Sequence, residues 1–402
     1  MLANRLVRLT RLDRLRPDEV VSDRVIALTF GARFVDEVTS GAWLVLAPVF
    51  RRAFGLSLVQ IGLLTQVLTW VALGVEPFTA SLIDVVSRRR LMAFGAAALA
   101  ASMAVMGVSA SYGVLLLGFG LFGLGSGPLA HTADVVVVES FPDAPERAFT
   151  RATFLDTTGA VLGPALVAVA TVAHLPWRAV LVLLGAGCAA YALTIRRTTF
   201  PAPRGRRAQG LRVVAKAATA VVTALRRSEV RRAVLVLLCF DVFEAAVVLQ
   251  FIWLHDTVRL SEAAVATWGA LEQVVALVAL LVLDKWLRSG RADVGLRLAA
   301  AALVLLPAVW VAAPGIWGRV VVGVPLVFVR ALVWPLAKSR SLVAAPELAG
   351  AAQAVTTLIP LLPLAVVESA LAQAIGVGHA MAVTAAAGAA AMLVAAGGRG
   401  RR

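Results

Sequence analysis

Apolar stretches long enough to cross a bilayer recur along the chain, each separated from the next by a short polar or basic segment. A helix needs roughly 20 apolar residues to traverse the hydrocarbon. The pattern predicts spans at 25–49, 58–82, 91–110, 113–138, 151–173 and 178–195, then at 233–254, 263–283, 294–312, 316–337, 350–374 and 378–396. Six precede and six follow the basic stretch 196–232. This predicts an all-α membrane protein with two six-helix bundles, 25–195 and 233–396. A basic segment, 1–24, precedes them and a short tail, 397–402, follows. The connecting stretch opens with Arg196, Arg197, Pro201, Pro203 and Gly205, which favour a turn, and continues at 211–225 as an expected membrane-surface helix.

The halves echo one another. Asp84 and Arg88 end one apolar pair, and Asp284 and Arg288 end another 200 residues later; Pro145 and Glu146 return as Pro346 and Glu347 at nearly the same offset. Parallel repeats of this size mark transporter folds in which two helical halves enclose a substrate path. The rival reading is coincidence, because a chain rich in Ala, Val, Leu and Arg generates short matches freely.

Composition agrees with the pattern. With 60% hydrophobic residues and a mean hydropathy of +0.88, the chain lacks the polar surface that a water-soluble fold requires. The net charge of +15 could suggest nucleic acid, but the placement of the basic residues reports topology instead. With both termini inside, the outer segments hold Arg51, Arg52, Arg178, Arg259 and Arg319, Arg33 and Arg330 lie within spans, and every other Lys and Arg falls on an inner segment. That asymmetry is the positive-inside pattern of a multi-pass cell-membrane protein with cytoplasmic termini. Membrane lipids are expected partners and nucleic acid is not. Cys188 and Cys239 fall inside or at the edge of spans, so no disulfide framework is indicated. Arginines and leucines interleave through the first 24 residues without the apolar core of a cleaved signal, leaving an interfacial helix or a basic tail as readings.

Ionisable residues inside spans are costly and persist mainly where they are paired or line a cavity. In the first span Arg33, Asp36 and Glu37 share one helical face at i, i+3 and i+4, where the arginine can neutralise one acid and leaves the other over. In the seventh, Asp241 and Glu244 share a face with no basic residue nearby in that span. Glu37 and Asp241 each lie 20 residues before a Leu-Ser pair, so the clusters are candidate symmetry mates. Paired carboxyls in a dry setting can take up and release a proton, which nominates Asp36, Glu37, Asp241 and Glu244 for proton coupling; structural pairing is the alternative. His131 and Asp134, at i, i+3 in the fourth span, read as a proton relay or as a packing pair. Arg330 in the tenth span and Arg33 offer a site for an anion or partners for the acids. Glu272 and Gln273 join them as candidate cavity residues, with Glu76 and Asp156 nearer the inner ends and Glu368 towards the outer side. Acids outnumber arginines at this depth, which favours a cationic or zwitterionic amphiphile as substrate. Trp43, Trp70, Trp253, Trp268, Trp310 and Trp334 read as interfacial anchors, with stacking on substrate as the alternative. No phosphate-cradling loop, HExxH or paired CxxC is present, so no cofactor or metal is expected and ATP-driven transport has no support.

Twelve spans in two halves, a basic central loop and a charged loop after the second span resemble the major facilitator superfamily. The run Ala80 to Arg90 keeps the Asp84 and trailing arginines of the family's loop signature, without its two glycines and first basic residue. The resemblance gives Asp84 and Arg88, with Asp284 and Arg288 as their second-half copy, the role of latching the cytoplasmic side. Gly159, Gly163 and Pro164 form a GxxxGP similar to the motif of the family's antiporters; ordinary small-residue packing is the other reading. No arginine lies between Leu115 and Val138, so the proton-relay arginine of many drug exporters is missing. The first span, from Phe34 and Asp36 to Pro48, is most similar to bacterial drug and metabolite exporters. The resemblance implies the two-bundle major facilitator fold, with its cavity lined chiefly by spans one, four, seven and ten.

Together these readings give a monomeric secondary transporter, a proton antiporter exporting small amphiphilic molecules by alternating access. Uptake by symport is the nearest alternative, and a polytopic enzyme or assembly protein is the rival from another class. The acids lie deep in the spans and not in the loops, which argues against a lipid-modifying enzyme.

Overall fold

The computed structural model describes residues 22–83, 86–141, 145–200, 228–287, 292–343 and 362–397, and every regular element within them is an α-helix. The expected N-terminal segment, linker helix and Pro346–Glu347 loop lie outside the described residues. In chain order the helices are α1 (Asp23–Val45), α2 (Ala47–Phe54), α3 (Leu58–Ile83), α4 (Arg88–Val108), α5 (Tyr112–Ser140), α6 (Pro145–Val172) and α7 (Trp177–Arg196). There follow α8 (Ser228–Ala245), α9 (Val247–Asp256), α10 (Glu262–Leu287), α11 (Ala292–Ala312), α12 (Gly315–Val343), α13 (Leu364–Ile375) and α14 (Val377–Gly397). Among the described residues, ten stretches are long and apolar enough to cross a membrane, α8 with α9 supplying one of them. The first and eleventh expected spans are not among the ten. The first carries Arg33, Asp36 and Glu37 within α1, and the eleventh is described only from residue 362 onward.

Local chemistry sets the helix ends. Ser22 and Ser111 accept hydrogen bonds from the backbone N–H groups of Val25 and Val114, each at 3.4 Å, capping α1 and α5. Ser57 and Gln60 form a reciprocal capping box at the start of α3: the Ser57 N–H donates to the Gln60 side chain at 2.9 Å, and the Gln60 N–H donates to Ser57 Oγ at 3.2 Å. Gly55 ends α2 in the left-handed region, φ 61°, where a side chain would be strained. Two expected spans are interrupted, the first at Leu46 and the seventh at Ala246. At the first interruption Pro48 has no N–H to continue the helical bonding.

The chain divides into two compact units. The first takes residues up to Gly55, 67–208 and 260–270, and the second takes 56–66, 209–259 and 271–402, so α3 and α10 each contribute to both.

In the first unit α4 packs between α5 and α7, and α1 lies along α6. The α1–α6 contact is close because the GxxxGP residues are small. A Cβ on Gly159 would sit 2.5 Å from the Phe34 carbonyl oxygen, and one on Gly163 would sit 2.8 Å from the Ala42 nitrogen. Lipid offers no hydrophobic drive for helix association, so this backbone approach supplies the packing that holds the pair. Aromatic rings pack together within the unit: Trp43 meets Phe119 edge-on at 4.9 Å and Phe50 meets Trp177 at 5.4 Å.

In the second unit α11 lies against α12 and α14, and α8 lies against α14. Trp253 and Trp310 meet at 5.0 Å. The Arg319 guanidinium lies over Trp253, and the Trp310 indole donates to the Arg319 carbonyl at 3.1 Å. The tryptophans depart from the interfacial expectation. Trp43, Trp253, Trp268 and Trp310 are buried among protein side chains, while Trp70 is exposed. Neighbouring helices satisfy these large rings before the bilayer surface can.

Candidate functional site

Arg33 lies near the middle of α1, and its side chain leaves its own helix. Its Nε and one terminal nitrogen donate to the two carboxylate oxygens of Asp134 on α5, at 2.9 and 2.6 Å, and the other terminal nitrogen lies 3.9 Å from Asp156 on α6. The expected pairing of Arg33 with Asp36 along the helix is therefore replaced by bridges across it. A guanidinium fork matches a carboxylate facing it on a neighbouring helix better than one at i+3 on its own. Asp36 is buried and accepts a hydrogen bond from Ser126 on α5 at 3.0 Å, while its other oxygen has no partner. Glu37 beside it makes no ion pair or hydrogen bond with any described residue. Asp134 is bonded to Arg33, and among the described residues no hydrogen bond joins it to His131, the partner offered for it by spacing.

The second unit repeats the motif with its parts exchanged. Arg330, on α12, lies 3.5 Å from Glu244 on α8 and donates to Glu272 on α10 at 3.3 Å. Glu272 is 2% exposed, and its second oxygen accepts from the Gln250 side chain on α9. The acid pair of the seventh span thus has a cationic neighbour that its own span does not supply. Asp241, one turn before Glu244, forms no ion pair and accepts no hydrogen bond among the described residues. Asp241, Glu244, Gln273 and Arg330 border a cavity of about 390 Å³, with Phe240, Ala276, Val327 and Ala331 as its apolar walls. Behind Arg330 a smaller space of about 30 Å³ is lined by Gln250, Pro307 and Trp310 among others.

Each unit therefore builds one guanidinium-centred network from three helices, and in each the carboxylates outnumber the arginine. Charges of this kind within spans are retained where they pair or face a chamber; both networks pair, and the second also borders a cavity. The sequence missed Ser126, Gln250 and the direction of both arginines. The available signal was that each half has a single arginine far from the ends of its spans, with acids on several others. Among the described residues no group of three or more His, Cys, Asp and Glu side chains is arranged to hold a metal ion.

Of the residues expected to form a latch, Arg88 opens α4 and donates to Glu139 on α5 at 2.7 Å. Asp84 and Arg288 lie outside the described residues, as does the side chain of Asp284. Gly159, Gly163 and Pro164 sit on the α1–α6 contact, one turn and more from Asp156.

A multi-pass helical membrane protein with paired charge networks inside its spans and a polar cavity beside one of them has the construction of a secondary transporter. The chain belongs to the Major Facilitator Superfamily, whose family model matches residues 27–360, and it is a transporter of small molecules, not an enzyme. The fold is shared with solved transporters of low sequence identity. A bacterial homolog of the human lysosomal transporter Spinster, inward-facing and unoccupied, aligns over 92% of this chain and 93% of its own at 17% identity and a TM-score of 0.70. The nucleoside transporter NupG aligns over 92% and 98% at 12% identity and a TM-score of 0.75. A POT family transporter in complex with a thioalcohol-conjugated peptide aligns over 92% and 94% at 13% identity and a TM-score of 0.72. No curated protein sequence matches the chain.

Proposed function

We propose that this transporter is a proton-coupled antiporter that exports small amphiphilic compounds across the cell membrane, with both termini in the cytoplasm. One observation carries the reading: Asp36, Glu37, Asp241 and Glu244 exceed in number the arginines beside them, and Asp241 and Glu244 border a cavity. Carboxyls in excess of their counter-charges can hold protons in one transport state and lose them in another. A gradient can then bias the direction the cavity faces only through that difference in charge. Arg33 with Asp134 and Asp156, and Arg330 with Glu272, hold the flanking acids in place as the proton load changes. Arg88 belongs to the cytoplasmic latch, with Asp84, Asp284 and Arg288.

The test is solute flux in proteoliposomes under a pH gradient of either sign. Outward proton-driven exchange is expected in the wild type, and the double replacement Asp241→Asn with Glu244→Gln is expected to abolish its dependence on the gradient. Coupling that survives the double replacement assigns the pair to structure. Solute moving in the same direction as protons assigns the chain to symport.

A further inference from the structure

We propose that the substrate is a monovalent organic cation with an apolar body, and that Asp241 is the carboxylate that recognises its charge; this rests on the transporter reading above. The argument is an inventory of charge around the cavity. Arg330 directs its guanidinium to Glu244 and Glu272, and Gln250 holds the remaining oxygen of Glu272. The cation of this chamber is therefore already matched. Asp241 is the carboxylate on the same wall that no described group neutralises.

An anionic substrate would meet an unmatched carboxylate with no free guanidinium to receive it, which opposes binding. A neutral sugar-like molecule would leave the charge of Asp241 unmatched and would set its hydroxyls against the apolar part of the wall, Phe240, Ala276, Val327 and Ala331. A positively charged amine satisfies both parts of the wall, its charge on Asp241 and its body on the apolar residues. The volume, about 390 Å³, is in the range of pockets that take drug-sized ligands. The absence of a metal-holding cluster among the described residues separates an organic cation from a metal ion. A carboxylate that binds either the amine or a proton also makes the two exclude each other, as exchange requires.

The probes are three molecules with one aromatic body: benzyltrimethylammonium, benzyl alcohol and benzenesulfonate. Each is titrated into the purified full-length protein, with binding read from intrinsic tryptophan fluorescence, and each is then assayed for flux in proteoliposomes. The ammonium is expected to bind at least about tenfold more tightly than the sulfonate. Asp241→Asn is expected to remove that preference, and Asp241→Glu, which keeps the charge, to retain it. Retained gel-filtration and circular-dichroism profiles establish that the variants fold. Tighter binding of the sulfonate or the alcohol overturns the proposal, as does an unchanged preference in a folded Asp241→Asn variant. Ammonium binding without proton-coupled flux supports the cation site and removes the antiport reading. Proton-coupled flux of the sulfonate alone keeps the antiport reading and removes the cation site.

Discussion

Arg33 and Asp134 face each other across α1 and α5 through two parallel hydrogen bonds, 2.9 and 2.6 Å long, although 101 residues separate them in sequence. The geometry requires the planar fork of arginine and not merely a positive charge. Replacing Arg33 with Lys is expected to lower stability in detergent by about 1–2 kcal/mol, since one of two charge-assisted bonds is lost. Arg33→Met should cost more, because Asp134 and Asp156 then face each other without a cation. Thermal unfolding monitored by fluorescence checks both. The double variant Arg33→Met with Asp134→Asn should recover part of the loss.

The α1–α6 contact tolerates no added side chain at Gly159. Gly159→Val is expected to destabilise the protein by about 1–3 kcal/mol, the usual cost of overpacking a close contact, and to reduce transport by moving Asp156 relative to Arg33. Gly74 on α3 provides the control, since a Cβ there meets nothing within 4 Å. Gly74→Ala should leave the melting temperature unchanged or slightly raised. The measurement is a pair of thermal melts with initial rates of flux.

In the second unit Glu272 is the shared acceptor of Arg330 and Gln250. Glu272→Ala strands both donors in a buried place, and a loss of about 3–5 kcal/mol is expected by analogy with broken buried pairs. Glu272→Gln keeps an acceptor oxygen and should lose less. An equal loss in the two variants, read by denaturation in detergent, would show that the charge and not the acceptor matters.

At the start of α4, Arg88 is buried and bonded to Glu139. Glu139→Gln should weaken the packing of α4 on α5 by roughly 1–3 kcal/mol, the cost of a charged hydrogen bond. Limited proteolysis between Ile83 and Arg88 provides the readout, with faster cleavage expected in the variant.

Much of this fold was legible because the bilayer imposes one length on every crossing, and apolar runs of that length are visible without knowing any partner. What each side chain touches was not. Asp36 and Glu37 share a face with Arg33 by sequence spacing, yet the guanidinium reaches Asp134 and Asp156, because which helices stand beside α1 is a property of packing that a single span does not encode. Arg88 gives the same lesson, since the nearby Asp84 is conspicuous in sequence while Glu139 is visible only once α4 lies on α5. Trp43 and Trp310 misled for another reason: a tryptophan near a span end suits an interface and an aromatic cluster equally well, and only the neighbouring rings decide.

The helix interruptions at Leu46 and Ala246 fall 200 residues apart, the same offset as the Asp84 and Asp284 echo. In both cases the deep acids lie in the segment before the joint, and a short segment of eight to ten residues follows it. A rod jointed in this way bends most easily where its internal bonding is interrupted, so the short piece can tilt while the piece bearing the charges keeps its ion pairs. Each unit thereby carries an elbow, and a tilt of the short piece need not disturb the chemistry beside it.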